Sequence, residues 1–244
     1  MKRGLRLVVG GLAAILTLVL SGGTAFADYN GPASAFGPPN DPPASGWHIG
    51  YYTPSQYGTL SYAEAPTGSG IASLEFTSLD NTALLVTKQK AKFPTLLGDL
   101  SGDSSISSDV TISDVTGVFT YYGEPSCGGL PQEGGIPANF RFFFETSNSG
   151  GFDETHYWWS NPVSWDLIGP TSNGPATITN SLNGAFWSDY YGHFGTGPYA
   201  AAYEAALSNV TLIGISFGGG CFFENGVGTT DGSGTFTIDT FSVS

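Results

Sequence analysis

The chain has 244 residues and a formal net charge of −13 at pH 7, because twenty acidic residues stand against seven Lys and Arg residues. Nucleic acids and anionic membranes bind basic surfaces, so this composition excludes both as expected partners. The acidic excess is typical of a protein that stays soluble outside the cell, and it also supplies oxygen ligands of the kind that calcium prefers.

The first 27 residues are typical of a secretory signal peptide. A basic start at residues 2–6 precedes the apolar run "LVVGGLAAILTLVL" at residues 7–20, and the small-residue pattern "AFA" follows at residues 25–27. The apolar run is short for a membrane span, and no stop-transfer sequence follows it. We therefore predict that the mature protein begins near Asp28, is secreted into the extracellular space and keeps no membrane anchor.

The next segment, residues 28–46, predicts a linker or loosely attached arm. Its sequence, "DYNGPASAFGPPNDPPASG", is rich in Pro, Gly and Ser and has few apolar residues that could anchor it to a core. The remaining residues, 47–244, have the length of one domain, and single β-sandwiches of about this size are common. We predict one β-sandwich domain over residues 47–244.

Short runs of β-branched and aromatic residues recur along this domain between clusters of turn residues. Several alternate apolar and polar residues, as Val110 and Ile112 do among Asp, Thr and Ser neighbours. The pattern predicts an all-β fold, an antiparallel β-sandwich of the jelly-roll kind. In chain order the runs are "ASLEFTSL", "ALLVTK", "DVTISDV", "GVFTYYG", "NFRFFFETS", "HYWWS", "SWDLIG", "ATITNSL", "VTLIGISFG" and "GTFTIDTFSVS".

One helix and one disulfide are also predicted. The segment "YAAAYEAALSN" favours a short helix near residues 199–208, since Ala, Glu and Leu have high helix propensity. The chain has two cysteines, Cys127 and Cys221, and both follow the signal peptide. An even pair in an exported chain predicts a disulfide. Closing a loop of this length contributes about 4–5 kcal/mol in the chain-entropy description.

The order of motifs in the second half resembles a known family. The predicted helix leads into "LSNVTLIGISFGGG", a glycine-rich turn and the closing run "GTFTIDTFSVS", and "FPTLLGDLSG" lies upstream near residue 95. From Phe93 to Val243 this order is similar to the galactose-binding-like jelly rolls of the laminin B and carbohydrate-binding-module type. The resemblance implies an extracellular, non-catalytic β-sandwich whose partner is a glycan or a matrix component.

The resemblance also implies a structural calcium ion near the last strand. Asp239 matches the closing acidic residue of the family pattern, so Asp239 is the candidate calcium ligand. The family usually has a second acid directly after it, and in this chain Thr240 occupies that position. No other cofactor is expected.

The run "ETHYWWSNPVSW", residues 154–165, is the first candidate for a ligand-binding surface. In an extended strand Tyr157 and Trp159 share one face, and His156 and Trp158 share the other. The second face is the more polar, so we expect Trp158 to face water beside His156 and to stack on sugar rings. The alternative is that the tryptophans fill the core.

The segment "AFWSDYYGHF", residues 185–194, is the second aromatic cluster. Its Trp187 lies where the resembled family has a tryptophan that covers the core, so we expect Trp187 to be buried. Tyr190 and Tyr191, together with His193, lie among Asp and Gly residues that predict a loop. We expect Tyr190 and Tyr191 to complete a sugar-binding surface with Trp158.

Two other functions stay open from the sequence. A jelly-roll glycoside hydrolase needs two carboxyl groups about 5–10 Å apart, and Glu145 and Glu224 are the candidates because each follows an apolar run that would shield it. A purely structural cell-surface or matrix protein needs neither facing carboxylates nor exposed aromatic rings. The favoured prediction is a secreted, non-catalytic protein that binds a glycan.

Overall fold

The structure is a computed structural model. Residues 1–44, which include the predicted signal peptide and most of the predicted linker, lie outside the described residues, as do Cys127, Cys221 and Glu224. None of the helices in the described part of the chain has the length and apolar sequence that crossing a membrane requires. The described residues are 45–52, 61–67, 70–76, 81–116, 119–121, 139–146, 154–161, 165–166, 174–218, 226–229 and 232–244.

The described chain is built from short strands, and each of the ten predicted runs contains one. Four further strands, β1, β2, β11 and β13 below, were not predicted, since they are short and lack a clear alternating pattern. The strands are β1 (His48–Tyr52), β2 (Ser61–Glu64), β3 (Ala72–Phe76), β4 (Asn81–Thr87), β5 (Ser105–Thr116), β6 (Phe119–Tyr121), β7 (Asn139–Thr146), β8 (Tyr157–Ser160), β9 (Trp165–Asp166), β10 (Gly174–Ser181), β11 (Trp187–Asp189), β12 (Val210–Gly218), β13 (Val227–Thr229) and β14 (Ser233–Val243).

These strands form two sheets, which confirms the predicted all-β sandwich. In the described residues the larger sheet has ten strands, with the order β11-β8-β7-β12-β4-β1-β2, while β13 pairs with β4 and β6, and β9 pairs with β7. The smaller sheet has the order β10-β5-β14-β3. The pairings between described strands are antiparallel.

The main core lies between the two sheets. Alternate residues of each strand point inward, so that β7 contributes Phe140, Phe142 and Phe144. Phe140 and Phe236 meet across the core with their ring centroids 5.0 Å apart and their planes at 73°. Such edge-to-face contacts are favourable beyond the burial of apolar area. The same cluster contains Ile106, Val110, Ile178, Ile213, Ile215, Phe217 and Ile238.

A second buried layer covers the other face of the larger sheet, which we call the outer face. It is a separate apolar cluster formed by Ala83, Leu84, Val86, Phe143, Tyr157, Trp159 and Leu212. The strand registers place one row of this face across the sheet, with Ser188, Trp159, Phe143, Gly214, Val86 and His48 as successive partners. Both faces of the larger sheet are therefore buried in its central strands.

The predicted helix is present. A 3-10 turn at Gly197–Tyr199 leads into the α-helix α1 at Ala200–Leu207. Tyr203, Ala206 and Leu207 are its buried residues, and the Tyr203 hydroxyl donates to the Leu182 carbonyl at 2.8 Å. Burial raises the pKa of Tyr203, so the hydroxyl stays protonated. The helix therefore closes the core at the end of the sheet where β8 and β11 lie.

A buried histidine on the outer face leads to a pH prediction. Burial, with the charge of Lys88 as the second cause, lowers the pKa of His48 from 6.5 to about 4, and the charge of Glu64 opposes the shift. Between these two pH values the unfolded chain therefore binds more protons than the folded chain. The free energy of unfolding has its full value above about pH 6.5 and decreases as the pH falls towards about 4. Urea denaturation across this window should show the fall. In the variant His48→Gln the free energy of unfolding should depend less on pH in this range. If the parent and the variant had the same pH dependence, His48 would not be the group that causes it.

Candidate functional site

The expectation that Trp158 faces water is wrong. Its side chain is 0% exposed, it lies in the core between the sheets, and its ring meets that of Tyr203 at 4.9 Å and 77°. The indole Nε1 donates to the Thr155 carbonyl at 2.7 Å, so its polar atom is satisfied inside the protein. A fully buried ring cannot stack on a ligand, and Trp158 therefore does not belong to the candidate site.

The physical reason is that strand alternation assigns a face but not its exposure. Trp158 and Trp159 do point to opposite faces, yet Trp159 is only 3% exposed, because it belongs to the apolar cluster on the outer face. His156 belongs to a 3-10 turn at Glu154–His156 rather than to the strand. In a strand, side chains alternate between the two faces with a period of two residues, which predicted that His156 lies beside Trp158. This alternation does not apply within a 3-10 turn.

Trp187 is buried as expected. It is 0% exposed and part of the main core, where its ring lies 5.0 Å from that of Phe144. Its Nε1 donates to the Ser181 carbonyl at 2.8 Å.

The exposed large hydrophobic side chains of the described residues come from a single short segment. Phe186, Tyr191 and Phe194 are 41%, 63% and 50% exposed, and all three belong to "AFWSDYYGHF" at residues 185–194. The ring next to Tyr191, that of Tyr190, is partly buried against the outer-face cluster. The two tyrosines that the sequence singled out thus lie where the described surface is richest in exposed aromatic rings.

A tight hairpin at the edge of the larger sheet presents these rings. After β11 the chain turns back, so that Phe194 bridges Ser188 and the Gly195 amide donates to the Trp187 carbonyl at 3.0 Å. Gly192 has a φ of +82° in this turn, a left-handed conformation that glycine adopts without strain. The returning segment of the hairpin therefore lies next to β11, at the edge of the larger sheet.

The buried carboxylate of Asp189 fixes the conformation of the hairpin through hydrogen bonds. Its Oδ1 accepts hydrogen bonds from the backbone amides of Tyr191 at 3.0 Å and His193 at 2.8 Å. Its Oδ2 lies 3.0 Å from His193 Nδ1, and the Asp189 side chain is 0% exposed. Because a buried carboxylate that accepts several hydrogen bonds fixes its donors in place, the exposed rings are held in one arrangement.

A polar chain ties the same edge to the middle of the sheet. The Asn161 amide donates to the Ser188 hydroxyl, and Arg141 Nη1 donates to Asn161 Oδ1 at 2.7 Å. Burial lowers the pKa of Arg141 to about 10, so the guanidinium still carries its charge at neutral pH. These contacts link β11 to β8 and β7 on the outer face.

We call Tyr190, Tyr191, His193, Phe194 and Tyr199 the aromatic edge. A continuous series of rings connects the buried outer-face cluster to this surface. His193 and Tyr199 are stacked, with centroids 4.0 Å apart and planes at 8°. The other successive centroid distances are 4.9 Å for Phe143 and Trp159, 6.4 Å for Trp159 and Tyr190, 5.4 Å for Tyr190 and Tyr191, and 6.2 Å for Tyr191 and His193.

Glu145, the candidate acid of a hydrolase, is 1% exposed on the outer face of β7. Burial lowers the pKa of Lys88, and the charge of Glu145 opposes this shift. Glu64 shares the outer face but lies four strands away in the sheet order, which is about 19 Å at the usual strand spacing. That separation is too large for a hydrolytic pair, and the second candidate, Glu224, lies outside the described residues.

Asp239, the candidate calcium ligand, lies in β14 on the smaller sheet. Its Oδ2 accepts from the Thr111 hydroxyl at 2.7 Å. The described residues contain no group of three or more His, Cys, Asp or Glu side chains that could hold a metal ion. The calcium site therefore stays a prediction that rests on the sequence resemblance.

Three members of this arrangement were not singled out from the sequence: Asp189, Phe194 and Tyr199. The segment "SDYYGH" did contain a signal for Asp189, since an aspartate three residues before a glycine is typical of a turn closed by the carboxylate. Phe194 and Tyr199 carried no such signal, because their exposure depends on how the hairpin meets helix α1.

No family model matches the chain, and no curated protein matches its sequence.

Proposed function

We propose that the protein is a secreted, non-catalytic β-sandwich that binds a glycan on the aromatic edge. The observation that carries the proposal is the exposure of Tyr191 and Phe194 on a hairpin that Asp189 holds rigid. Exposed rings in a fixed arrangement suit sugars, because the C–H face of a pyranose stacks on an aromatic ring and hydroxyl groups bind neighbouring polar atoms. The signal-peptide pattern of residues 1–27 supports secretion.

The two alternative functions have less support. A hydrolase needs a second carboxylate near the buried Glu145. Among the described residues Glu64 on the same face is too distant, and Glu224 lies outside the described part of the chain. A purely structural protein gives no reason to hold large aromatic rings in water on a hydrogen-bonded hairpin, since exposed apolar clusters reduce solubility. The resemblance to galactose-binding-like jelly rolls agrees with the proposal and remains a prediction.

The variant Tyr191→Ala tests the proposal. Removing an exposed ring should change the free energy of unfolding by about 0.5 kcal/mol or less, whereas loss of a stacking contact should weaken glycan binding about tenfold. Affinity electrophoresis against soluble plant, fungal and bacterial polysaccharides measures the binding, and urea denaturation measures the stability.

The matched control is Phe186→Ala, which removes an exposed ring of similar size from the same segment. Phe186 ends the 3-10 turn Gly184–Phe186 before β11, whereas Tyr191 lies in the turn after β11, so the three residues of β11 separate them along the chain. Its removal should leave the retardation unchanged. If no polysaccharide retards the parent protein, or if both variants lose retardation equally, the proposed function is wrong.

A further inference from the structure

We infer that the aromatic edge binds one neutral pyranose unit at a time, with Tyr191 as the stacking ring and His193 as the polar contact. The inference rests on the proposed function and names its ligand class. It depends on three features of the edge: the angles between its rings, the proton on His193 and the distribution of charge along the chain.

The ring angles limit the shape of the ligand. The Tyr191 ring is inclined by 82° to that of Tyr190 and by 62° to that of His193. The nearly parallel rings, those of His193 and Tyr199, cover each other's faces at 4.0 Å. A flat crystalline polymer surface needs several coplanar exposed rings, whereas rings inclined to one another at these angles suit one sugar unit of a soluble chain.

The contact with Asp189 determines which nitrogen of His193 is left for a ligand. A carboxylate oxygen accepts hydrogen bonds, so Nδ1 of His193 carries the proton in their 3.0 Å contact. In the neutral imidazole the other nitrogen, Nε2, is then an acceptor. His193 is partly exposed, and its ring centroid lies 6.2 Å from that of Tyr191, a separation that one sugar unit with its hydroxyl groups can bridge.

The charge pattern limits the ligand to neutral sugars. After Arg141 the sequence contains neither Lys nor Arg, so the segment that forms the aromatic edge contributes no permanent cation. The charged residues closest to it in sequence are Asp189, which lies beneath the hairpin, and Glu204 on the exposed face of α1. Arg141, the cation that the polar chain links to this edge, is buried and donates to Asn161. A uronate or sulfated sugar would therefore meet negative charge without an exposed cation to pair with it.

The expected charge and shape of the ligand can be tested on the parent protein alone, with polysaccharides that differ in charge or in crystallinity. The panel of soluble neutral polysaccharides is repeated with forms of the same chains that have been oxidised to uronates, and with insoluble crystalline cellulose and chitin in sedimentation assays. We expect retardation by at least one neutral soluble chain, a loss of about tenfold or more in affinity for its oxidised form, and no sedimentation with the crystalline polymers.

Two variants test the histidine. His193→Phe keeps a ring beside Tyr199 but removes Nε2, and it should weaken binding about tenfold. His193→Gln restores an acceptor and should recover part of the affinity. Unchanged binding by His193→Phe, tighter binding to the oxidised chain, or sedimentation with crystalline polymer would each overturn the inference while leaving glycan binding intact. Failure of every glycan to bind would overturn the proposed function as well.

Discussion

Replacing Trp158 with alanine should lower the free energy of unfolding by about 3–5 kcal/mol. The indole is fully buried between the sheets, where it packs against Tyr203 and is the cross-strand partner of Phe144, so its loss removes packing contacts and leaves a cavity. The variant also leaves the Thr155 carbonyl without its indole donor. Urea denaturation of the parent and the variant measures the difference directly.

The variant Trp159→Ala at the neighbouring position tests whether both faces of β8 are buried or one of them is exposed. If one face of β8 were exposed, one of the two variants would be nearly neutral. Since Trp159 is 3% exposed and packs 4.9 Å from Phe143, we expect both variants to be destabilised by several kcal/mol. A Trp158→Ala protein that unfolds at the same urea concentration as the parent would contradict the burial of this residue.

Replacing Asp189 with alanine should cost about 2–4 kcal/mol and should also abolish glycan binding. The carboxylate accepts three hydrogen bonds from the hairpin, and the net contribution of a hydrogen bond to a charged group is about 1.5–3 kcal/mol. The expected loss is smaller than the sum of three such bonds, because water can reach the donors of this exposed turn in the variant. Without this acceptor the amides of Tyr191 and His193 lose their common partner, so the exposed rings no longer share one arrangement. Urea denaturation and affinity electrophoresis measure the two effects.

The variant Asp189→Asn is the matched control, because it keeps the size of the side chain and removes its charge. Its side-chain oxygen can still accept from both backbone amides, but its NH₂ group faces His193 Nδ1 and forces the proton onto Nε2. We expect about half the loss of stability and a marked loss of binding. If Asp189→Ala were as stable as the parent and bound glycan equally well, the hairpin would not depend on this carboxylate.

The fold was largely predictable because it depends on local patterns. Runs such as "DVTISDV" and "VTLIGISFG" carry the β-branched residues that strands favour, and "YAAAYEAALSN" carries strong helix formers, so both types of element could be assigned. The short strand β11 was not predictable, since three residues give too little pattern. Its position follows from pairing with β8, which is a long-range contact.

The candidate site was predictable only in part. Tyr190 and Tyr191 could be singled out because Asp and Gly around them predict a turn. Trp158 was misassigned because alternation gives a residue's face, whereas exposure depends on whether other parts of the chain cover that face. The role of Asp189 depends on hydrogen bonds across a turn, and the pairing of His193 with Tyr199 depends on where α1 begins. Neither contact follows from the order of residue types alone.

The claim that the aromatic edge is the glycan-binding surface is tested most directly by amide chemical shifts. The ¹⁵N-labelled protein is titrated with the polysaccharide fragment that retards it most strongly. We expect the amides of Tyr191, Gly192, His193 and Phe194 to shift with a common dissociation constant, while those of the smaller sheet, such as Thr177 and Thr240, stay in place. Shifts confined to the smaller sheet or to β1 and β2, with the hairpin amides unmoved, would contradict it.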